Sequence, residues 1–478
     1  MSARPNLLFL MVDQMQAQVL RAGHPCQTPN LAALAARGVR YDRATAPNAV
    51  CSPSRASLFT GRLPHSHGVW HVTHCQREDQ SVLRDLPHWA QRLDAAGYAT
   101  GYFGKWHVSR ERTSLARYGW QTAVFEDSPQ FADAMRAHGR VDRKSAPKSP
   151  DRSLRLPVGY GPAPLYGVGD WPLEKTPGAL TYQLATEWLA PRLDSAQPWA
   201  CVVSITEPHE PFFCTRESFA RYDVDSLPLP ASLRDSLADK PALYRRSARA
   251  FADLTEREHR EARACYYAVI SEIDTLVGRL LSRLDAARRL DDTLVVFTTD
   301  HGELLGAHGG LYTKNVGAFE EVYNIPLVLA GPGITRRGVS TARAGLIDLG
   351  PTLLDQLGLP AIDTAGESRS FAATLRDPER DADHRTQFAE YDGTRHHFTQ
   401  RVWWRDDWKF VFNPFADDEL YHLAADPHEL RNLAADPAHA ATADALMHEM
   451  WAHIRATGDA ELLNTGAPPL RLGRVGPN

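Results

Sequence analysis

Short runs of apolar residues alternate with longer amphipathic stretches through most of the chain. Four apolar runs predict buried strands, at residues 7–12, 200–205, 294–298 and 325–329. Between them lie stretches with apolar residues at helical spacing, at 31–37, 86–96 and 262–286. Because strands separated by helices are typical of parallel sheets, the pattern predicts an α/β fold with a large mixed, mostly parallel sheet flanked by helices.

Two regions depart from this alternation. Residues 138–175 are rich in Pro, Gly, Arg and Lys without a clear period, which predicts a long loop excursion and a candidate lid. Beyond about residue 376, segments at 397–402, 408–412 and 419–422 predict a short antiparallel sheet, followed by a helix over 441–457 and a tail over 466–478. We therefore expect a larger α/β domain over 1–375 and a smaller C-terminal α+β domain over 376–478.

Composition and charge narrow the classes of partner. Of 478 residues, 43% are hydrophobic and 23% charged, and the formal net charge is -5, so nothing indicates the basic face of a nucleic-acid-binding protein. No apolar run is long enough to span a bilayer, and the first one is shorter than a secretory h-region and meets Asp13 at once. The six cysteines are scattered without a CxxC pair. These features predict a cytoplasmic protein without a membrane partner.

Acidic residues follow two of the predicted strands. Asp13 comes directly after the first apolar run, and Asp300 closely follows the third. In open α/β sheets, sites collect beyond the carboxyl ends of the strands. We therefore expect both carboxylates to contribute to one site.

The segment with the most chemical information begins at Cys51. It runs Cys-Ser-Pro-Ser-Arg over residues 51–55 and reaches Thr-Gly-Arg at 60–62. A helix opening near Ala56 would place the cysteine side chain at a helix N-terminus. Free backbone N–H groups and a partial positive charge there suit an anion.

This string resembles the signature of the sulfatases, formylglycine-dependent members of the alkaline phosphatase superfamily, which is Cys-x-Pro-Ser-Arg followed by Thr-Gly. In that family a separate maturation enzyme oxidises the cysteine to formylglycine. The resemblance therefore implies that Cys51 becomes formylglycine and that a formylglycine-generating enzyme is a partner of this chain.

Further segments match the family in the same order, so that the resemblance covers nearly the whole chain. They are residues 13–14, the Gly-Lys-Trp-His at 104–107, the Glu-Pro-His-Glu-Pro at 207–211, the Thr-Asp-His-Gly-Glu at 299–303, Lys314, and 419–433. The match implies a catalytic and sulfate-binding set composed of Cys51, Arg55, Lys105, His107, His209 and Lys314. It also implies one divalent cation, with calcium favoured and manganese or magnesium as alternatives, held by Asp13, Gln14, the modified Cys51, Asp300 and His301.

The chemistry of a sulfate ester explains why these residue types belong together. The ester is an anion, so lysine, arginine and a cation must neutralise it before a nucleophile attacks. A hydrated aldehyde offers two hydroxyls, of which one attacks sulfur while His209 protonates the departing alcohol. His107 then takes the proton of the second hydroxyl, sulfate leaves, and the aldehyde is restored.

Gln14 and His301 look most similar to an intracellular bacterial branch that includes choline sulfatases and phosphonate monoester hydrolases. Relatives in this branch share the modified cysteine, so hydrolysis of a phosphonate monoester or phosphodiester is an alternative to sulfate ester hydrolysis. A second alternative is a non-catalytic relative in which Cys51 stays a thiol.

Aromatic residues near the matching segments predict a contact with the alcohol part of a small-molecule or saccharide sulfate ester. The candidates are Trp70, Trp106, Phe212 and Tyr391, and Phe213 and Trp171 are expected near the same site. Ordinary packing is an alternative role for each of them. The tail could reach a second subunit, which favours a homo-oligomer, or could be a disordered end.

Overall fold

The computed structural model describes residues 4–74, 83–156, 158–314, 317–394, 398–464 and 473–477. The strands in these ranges are β1 (Asn6–Val12), β2 (Val39–Tyr41), β3 (Ala99–Gly104), β4 (Thr122–Phe125), β5 (Lys148–Leu154), β6 (Ala163–Gly169), β7 (Trp199–Ser204), β8 (Phe212–Thr215), β9 (Thr293–Thr299), β10 (Leu327–Ala330), β11 (Gly338–Ser340), β12 (Thr386–Tyr391), β13 (Gln400–Arg405), β14 (Trp408–Phe412) and β15 (Glu419–His422).

The α-helices in the same ranges vary from a single turn to 31 residues. They are α1 (Pro29–Ala36), α2 (Cys51–Thr60), α3 (Pro64–His67), α4 (Trp89–Ala95), α5 (Pro129–His138), α6 (Pro177–Leu189), α7 (Arg216–Phe219), α8 (Ala242–Ala248), α9 (Glu256–Ala286), α10 (Ala307–Gly310), α11 (Glu320–Tyr323), α12 (Leu349–Gln356), α13 (Ala440–Thr457) and α14 (Ala460–Leu463).

The main sheet confirms the predicted fold class. Within the described ranges, eight strands pair in the order β11-β2-β10-β9-β1-β7-β3-β4. The central neighbours β9, β1, β7, β3 and β4 are parallel, and β10 runs antiparallel to both β9 and β2. The four strands predicted from apolar runs all lie in this sheet, as β1, β7, β9 and β10.

Both faces of the sheet are covered, which explains why its strands are continuous apolar runs. On β1, Leu8 and Leu10 belong to one buried cluster, which includes residues of α9. The intervening Phe9 and Met11 belong to a second cluster on the opposite face. Successive side chains of a strand point to opposite faces, so a strand buried on both sides needs apolar residues at every position.

The prediction of a long loop excursion without strands at 138–175 was wrong, because the segment contains two paired strands. This segment contains β5 and β6, which pair antiparallel, and β6 pairs parallel with β8 in a three-stranded sheet. Every second residue of β5 is exposed, and Leu154 is the one aliphatic residue of the strand. Its strand character therefore comes from pairing with β6 and not from an apolar run.

The C-terminal region forms the predicted antiparallel sheet, in the order β12-β13-β14-β15. Strands β14 and β15 have the predicted bounds, and β13 begins at Gln400, while residue 397 of the predicted strand lies outside the described ranges. Helix α13 packs its buried residues, among them Met447 and Trp451, with those of the sheet in one cluster. Most of the predicted tail, residues 466–472, is also outside the described ranges, and the division at residue 375 stays a prediction.

Among the described residues, no helix combines the length and the apolar character that a membrane crossing requires.

Candidate active site

The carboxyl ends of the central strands bring the predicted site residues together. Asp13 follows β1, Asp300 follows β9, and Lys105 follows β3. Gly104 makes the last of these turns possible, because its φ is +94° and a Cβ there would lie 1.9 Å from the backbone oxygen of Ser204. Lys105 then extends to Asp13, to which its Nζ donates a hydrogen bond.

Cys51 is the first residue of α2, whereas the sequence predicted a helix opening near Ala56. Pro53 in the first turn accounts for the difference, since a first-turn residue needs no N–H partner within the helix. The helix is buried along its whole length, and it ends at Thr60, followed by Gly61, whose φ of +66° suits glycine. The cysteine side chain therefore lies at a helix N-terminus, as predicted.

Four buried side chains form a group that could hold a cation. One ligand atom from each of Asp13, Cys51, Asp300 and His301 lies within 4.8 Å of the others. Oδ1 of Asp13 and Nε2 of His301 are 3.3 Å apart, and each is buried without a hydrogen-bond partner in the described structure. Buried polar atoms are normally satisfied, so these two are suited to a cation between them.

Arg55 is buried beside this group and contacts Asp300. Its Nε donates to Oδ2 of Asp300 over 2.6 Å, and its Nη1 donates to the carbonyl of Lys105 and to Oγ of Ser204. Neither Arg55 nor Asp300 is exposed. Arg55, predicted to contact sulfate, is not among the residues that line the cavity.

Gln14, the residue after Asp13, connects the acidic group to Lys314 and to two glutamates. Its Oε1 accepts from Nζ of Lys314 over 2.6 Å, and its Nε2 donates to Glu210 and Glu303. Neither glutamate was assigned a role from the sequence, although both lie inside segments that match the family. Their positions within the segments 207–211 and 299–303 could have indicated that they lie at the site. Ser204, at the end of a predicted strand, carried no comparable signal.

The surroundings of Cys51 favour an anion. Burial alone would raise the pKa of the thiol, but Lys105 and Lys314, with His107 and His209, hold it well below its usual value. Burial would likewise raise the pKa of Asp13, and Cys51 adds to that, yet Lys105 and the nearby histidines keep it low. Two lysines directed at one buried position are suited to a negatively charged group there.

The two predicted catalytic histidines differ in their surroundings. Burial, reinforced by Lys105, lowers the pKa of His107. Burial and Lys314 would lower the pKa of His209, but Glu210 and Asp13 raise it above its usual value. Paired groups whose pKa values are displaced in opposite directions are typical of an acid and a base.

A cavity of about 1590 Å³ opens above Cys51, Lys105, His107, His209 and Lys314. Its aromatic lining includes Trp106, Tyr391 and Phe213. The neighbouring Phe212 points the other way and packs edge-on against Tyr266, and neither Trp70 nor Trp171 lines the cavity. Of the predicted aromatic contacts, the structure therefore brings Trp106 and Tyr391 to the cavity but not Trp70 or Phe212.

Residues from the segment 138–175 form part of the same wall. Arg140, Arg143, Lys144 and Tyr160 line the cavity, and Arg143 pairs with Glu207 at 2.9 Å. The segment predicted as a lid thus borders the site, although it is built from paired strands.

Comparison with known proteins places this chain in a family. Residues 5–359 match the sulfatase family, and residues 306–456 match the C-terminal region of N-sulphoglucosamine sulphohydrolase. The chain is 30% identical over 456 residues to a choline-sulfatase of Rhizobium meliloti. The alignment covers 91% of this chain and 83% of that protein.

Two further proteins align over most of this chain and over most of their own length. An uncharacterized sulfatase of Escherichia coli is 28% identical over 444 residues, or 91% of this chain and 84% of the relative. The structure of a phosphonate monoester hydrolase from Silicibacter pomeroyi superposes with a TM-score of 0.79 at 26% identity, over 96% of this chain and 97% of the other. The chain belongs to the sulfatase family of sulfuric ester hydrolases.

Proposed function

We propose that this chain hydrolyses a sulfate ester with a formylglycine derived from Cys51 and one divalent cation. One observation carries the proposal: the buried side chains of Asp13, Asp300 and His301 surround Cys51 at the start of α2, and Lys105 and Lys314 reach the same point. No other role accounts as simply for acidic ligands, fixed cations and a cysteine at a helix N-terminus.

The residues that would hold the cation are Asp13, Asp300, His301 and the modified side chain of residue 51. Two carboxylates supply hard oxygen ligands, which favour calcium or magnesium, and the imidazole nitrogen supports manganese. A cation bound there would add positive charge beside the ester and favour an oxygen nucleophile at residue 51. Coordination through Oε1 of Gln14 would replace its hydrogen bond from Lys314, so the ligand role of Gln14 stays a prediction.

The remaining side chains divide the work of charge and proton transfer. Lys105 and Lys314 neutralise the sulfate oxygens, and both keep a raised pKa because nearby acidic groups outweigh burial, which alone would lower it. His209, whose pKa is raised, donates a proton to the departing alcohol. His107, whose pKa is lowered, stays neutral and accepts the proton of the second hydroxyl of the hydrated aldehyde.

The cavity supports an alcohol part larger than sulfate itself. Its volume of about 1590 Å³ exceeds that of a typical small-molecule pocket, and its wall combines aromatic rings with both signs of charge. We propose a small-molecule or saccharide sulfate ester as substrate, and the likeness to a choline-sulfatase makes choline sulfate the first compound to assay.

A second candidate activity is hydrolysis of a phosphonate monoester or phosphodiester. The structural likeness to the phosphonate monoester hydrolase of Silicibacter pomeroyi supports it, and the same neutralising groups suit a tetrahedral phosphorus ester. The purified enzyme should therefore be assayed with an aryl sulfate, an aryl phosphodiester and an aryl phosphonate monoester that share one leaving group. A higher kcat/KM for the sulfate supports the proposal, and a higher value for either phosphorus ester replaces it with the alternative.

The cellular setting is also proposed. The free, buried cysteines of the described residues support a cytoplasmic location, and the signature at residues 51–55 supports maturation by a formylglycine-generating enzyme. A homo-oligomer is proposed from the Pro- and Arg-rich composition of residues 466–478 alone, since Arg474 and Val475 contact α13 of the same chain. Light scattering of the purified protein tests the oligomeric state, and cell fractionation tests the location.

A further inference from the structure

We propose that His74 is a positioning residue that fixes the ring tautomer of His107. The inference rests on the proposed function, since it concerns how His107 accepts a proton from residue 51. None of the motifs that match the family contains His74. It lies at the rim of the cavity and is exposed, whereas His107 is buried.

The two rings form a hydrogen-bonded pair. Nδ1 of His74 lies 2.9 Å from Nε2 of His107, the ring planes differ by 20°, and the centroids are 5.0 Å apart. That centroid distance is close to the N···N distance plus the two ring radii. The imidazoles therefore meet edge to edge, nearly in one plane, and the shared hydrogen lies along the line between the rings and not over a ring face.

The opposite nitrogen of His107 determines which ring donates. Nδ1 of His107 is buried and makes no hydrogen bond within the described structure, and His107 and Cys51 line the same cavity. A neutral imidazole has one N–H and one lone pair. For Nδ1 to accept a proton from residue 51, the hydrogen must be on Nε2, which then donates to Nδ1 of His74. His74 thus keeps the lone pair of His107 directed at the reacting group.

The backbone gives His107 a second reason to need such support. Its φ is +55°, in the left-handed region that non-glycine residues seldom adopt. A non-glycine residue keeps such a φ only where the surrounding structure holds it, and a hydrogen bond to the second ring nitrogen is the usual means of fixing the tautomer of a functional histidine.

Three variants test the inference by steady-state kinetics with an aryl sulfate. His74→Ala should lower kcat about 10–100-fold with little change in KM, as expected when the partner of a functional histidine is removed. His74→Asn should retain most of the wild-type kcat, because its amide oxygen can accept the same hydrogen. His448→Ala, at an exposed histidine on α13, is the matched control and should leave both constants unchanged.

Chemical rescue separates positioning from packing. Because His74 is exposed at the cavity rim, added imidazole should restore part of the kcat of His74→Ala. The inference is overturned if His74→Ala has the wild-type kcat, or if the Ala and Asn variants lose equal activity and imidazole restores none. Absence of turnover in the wild-type enzyme, with formylglycine verified in the sample, would instead count against the proposed function.

Discussion

Nε of Arg55 donates to Oδ2 of Asp300 over 2.6 Å, and neither side chain is exposed to solvent. Removing one member of such a pair leaves an uncompensated buried charge. We expect Arg55→Met to lower the free energy of unfolding of the metal-free protein by about 3–5 kcal/mol, measured by urea denaturation.

The exposed pair Arg37–Asp291 offers the matched control. Arg37→Met should cost about 0–1 kcal/mol, because water and salt screen that pair. If both variants unfold at similar urea concentrations, Arg55 does not hold Asp300 as described.

The proposed general acid predicts a dependence on the leaving group. His209→Asn should lower kcat about 10²–10⁴-fold for an alkyl sulfate, whose alcohol must be protonated as it departs. The loss should be much smaller for an aryl sulfate with an acidic phenol. His107→Asn should slow both substrates alike, because His107 acts after that bond has broken. Equal losses with both substrates in His209→Asn would rule out its role as the acid.

A buried histidine remote from the cation ligands predicts a pH dependence of stability. Burial would lower the pKa of His308, but Glu321, 3.0 Å away, and Asp235 raise it to about 9. Because the pKa of this histidine is higher in the folded state, its stabilising contribution is complete when the pH is below the unfolded-state pKa of about 6.5. The contribution is lost as the pH rises through the folded-state pKa of about 9. We expect a loss on the order of 3 kcal/mol between pH 6 and pH 10 from this group.

Urea denaturation across that range checks this expectation. In His308→Asn the free energy of unfolding should fall less between pH 6 and pH 10, by the same amount. In His448→Asn, at an exposed position, it should fall as much as in the wild type. An unchanged decline in His308→Asn would contradict the assigned ion pair.

Removal of the cation should affect both turnover and stability. We expect a chelator to abolish sulfate release and lower the unfolding midpoint, and calcium to restore both in a concentration-dependent way. At 100 times its Kd a bound cation adds about 2.7 kcal/mol to the free energy of unfolding. Magnesium and manganese, tested in parallel, identify the preferred ion. Asp13→Asn should lose this stabilisation; if calcium stabilises it as much as the wild type, Asp13 is not a ligand.

The sequence was most informative where local pattern and position coincide. The apolar runs of β1 and β9 predicted both strands and the edge at which Asp13 and Asp300 meet, because parallel strands expose their carboxyl ends together. The segment around Cys51 predicted the helix N-terminus, although the helix begins five residues earlier than Ala56.

Features that depend on distant pairing were not predictable from local pattern. Strand β5 has no apolar run of its own, since its structure comes from pairing with β6, which in turn pairs with β8. For the same reason, the sequence could not show which of Phe212 and Phe213 reaches the cavity. Successive side chains of β8 point to opposite faces, so which ring reaches the cavity depends on a register that the sequence does not contain.

Mass spectrometry of the peptide that contains Cys51, from protein purified from its native host, tests the central claim most directly. The account predicts the mass of an aldehyde or its hydrate in place of the thiol, in the same sample that releases sulfate. An unmodified thiol at residue 51 in a preparation that hydrolyses sulfate esters would contradict it.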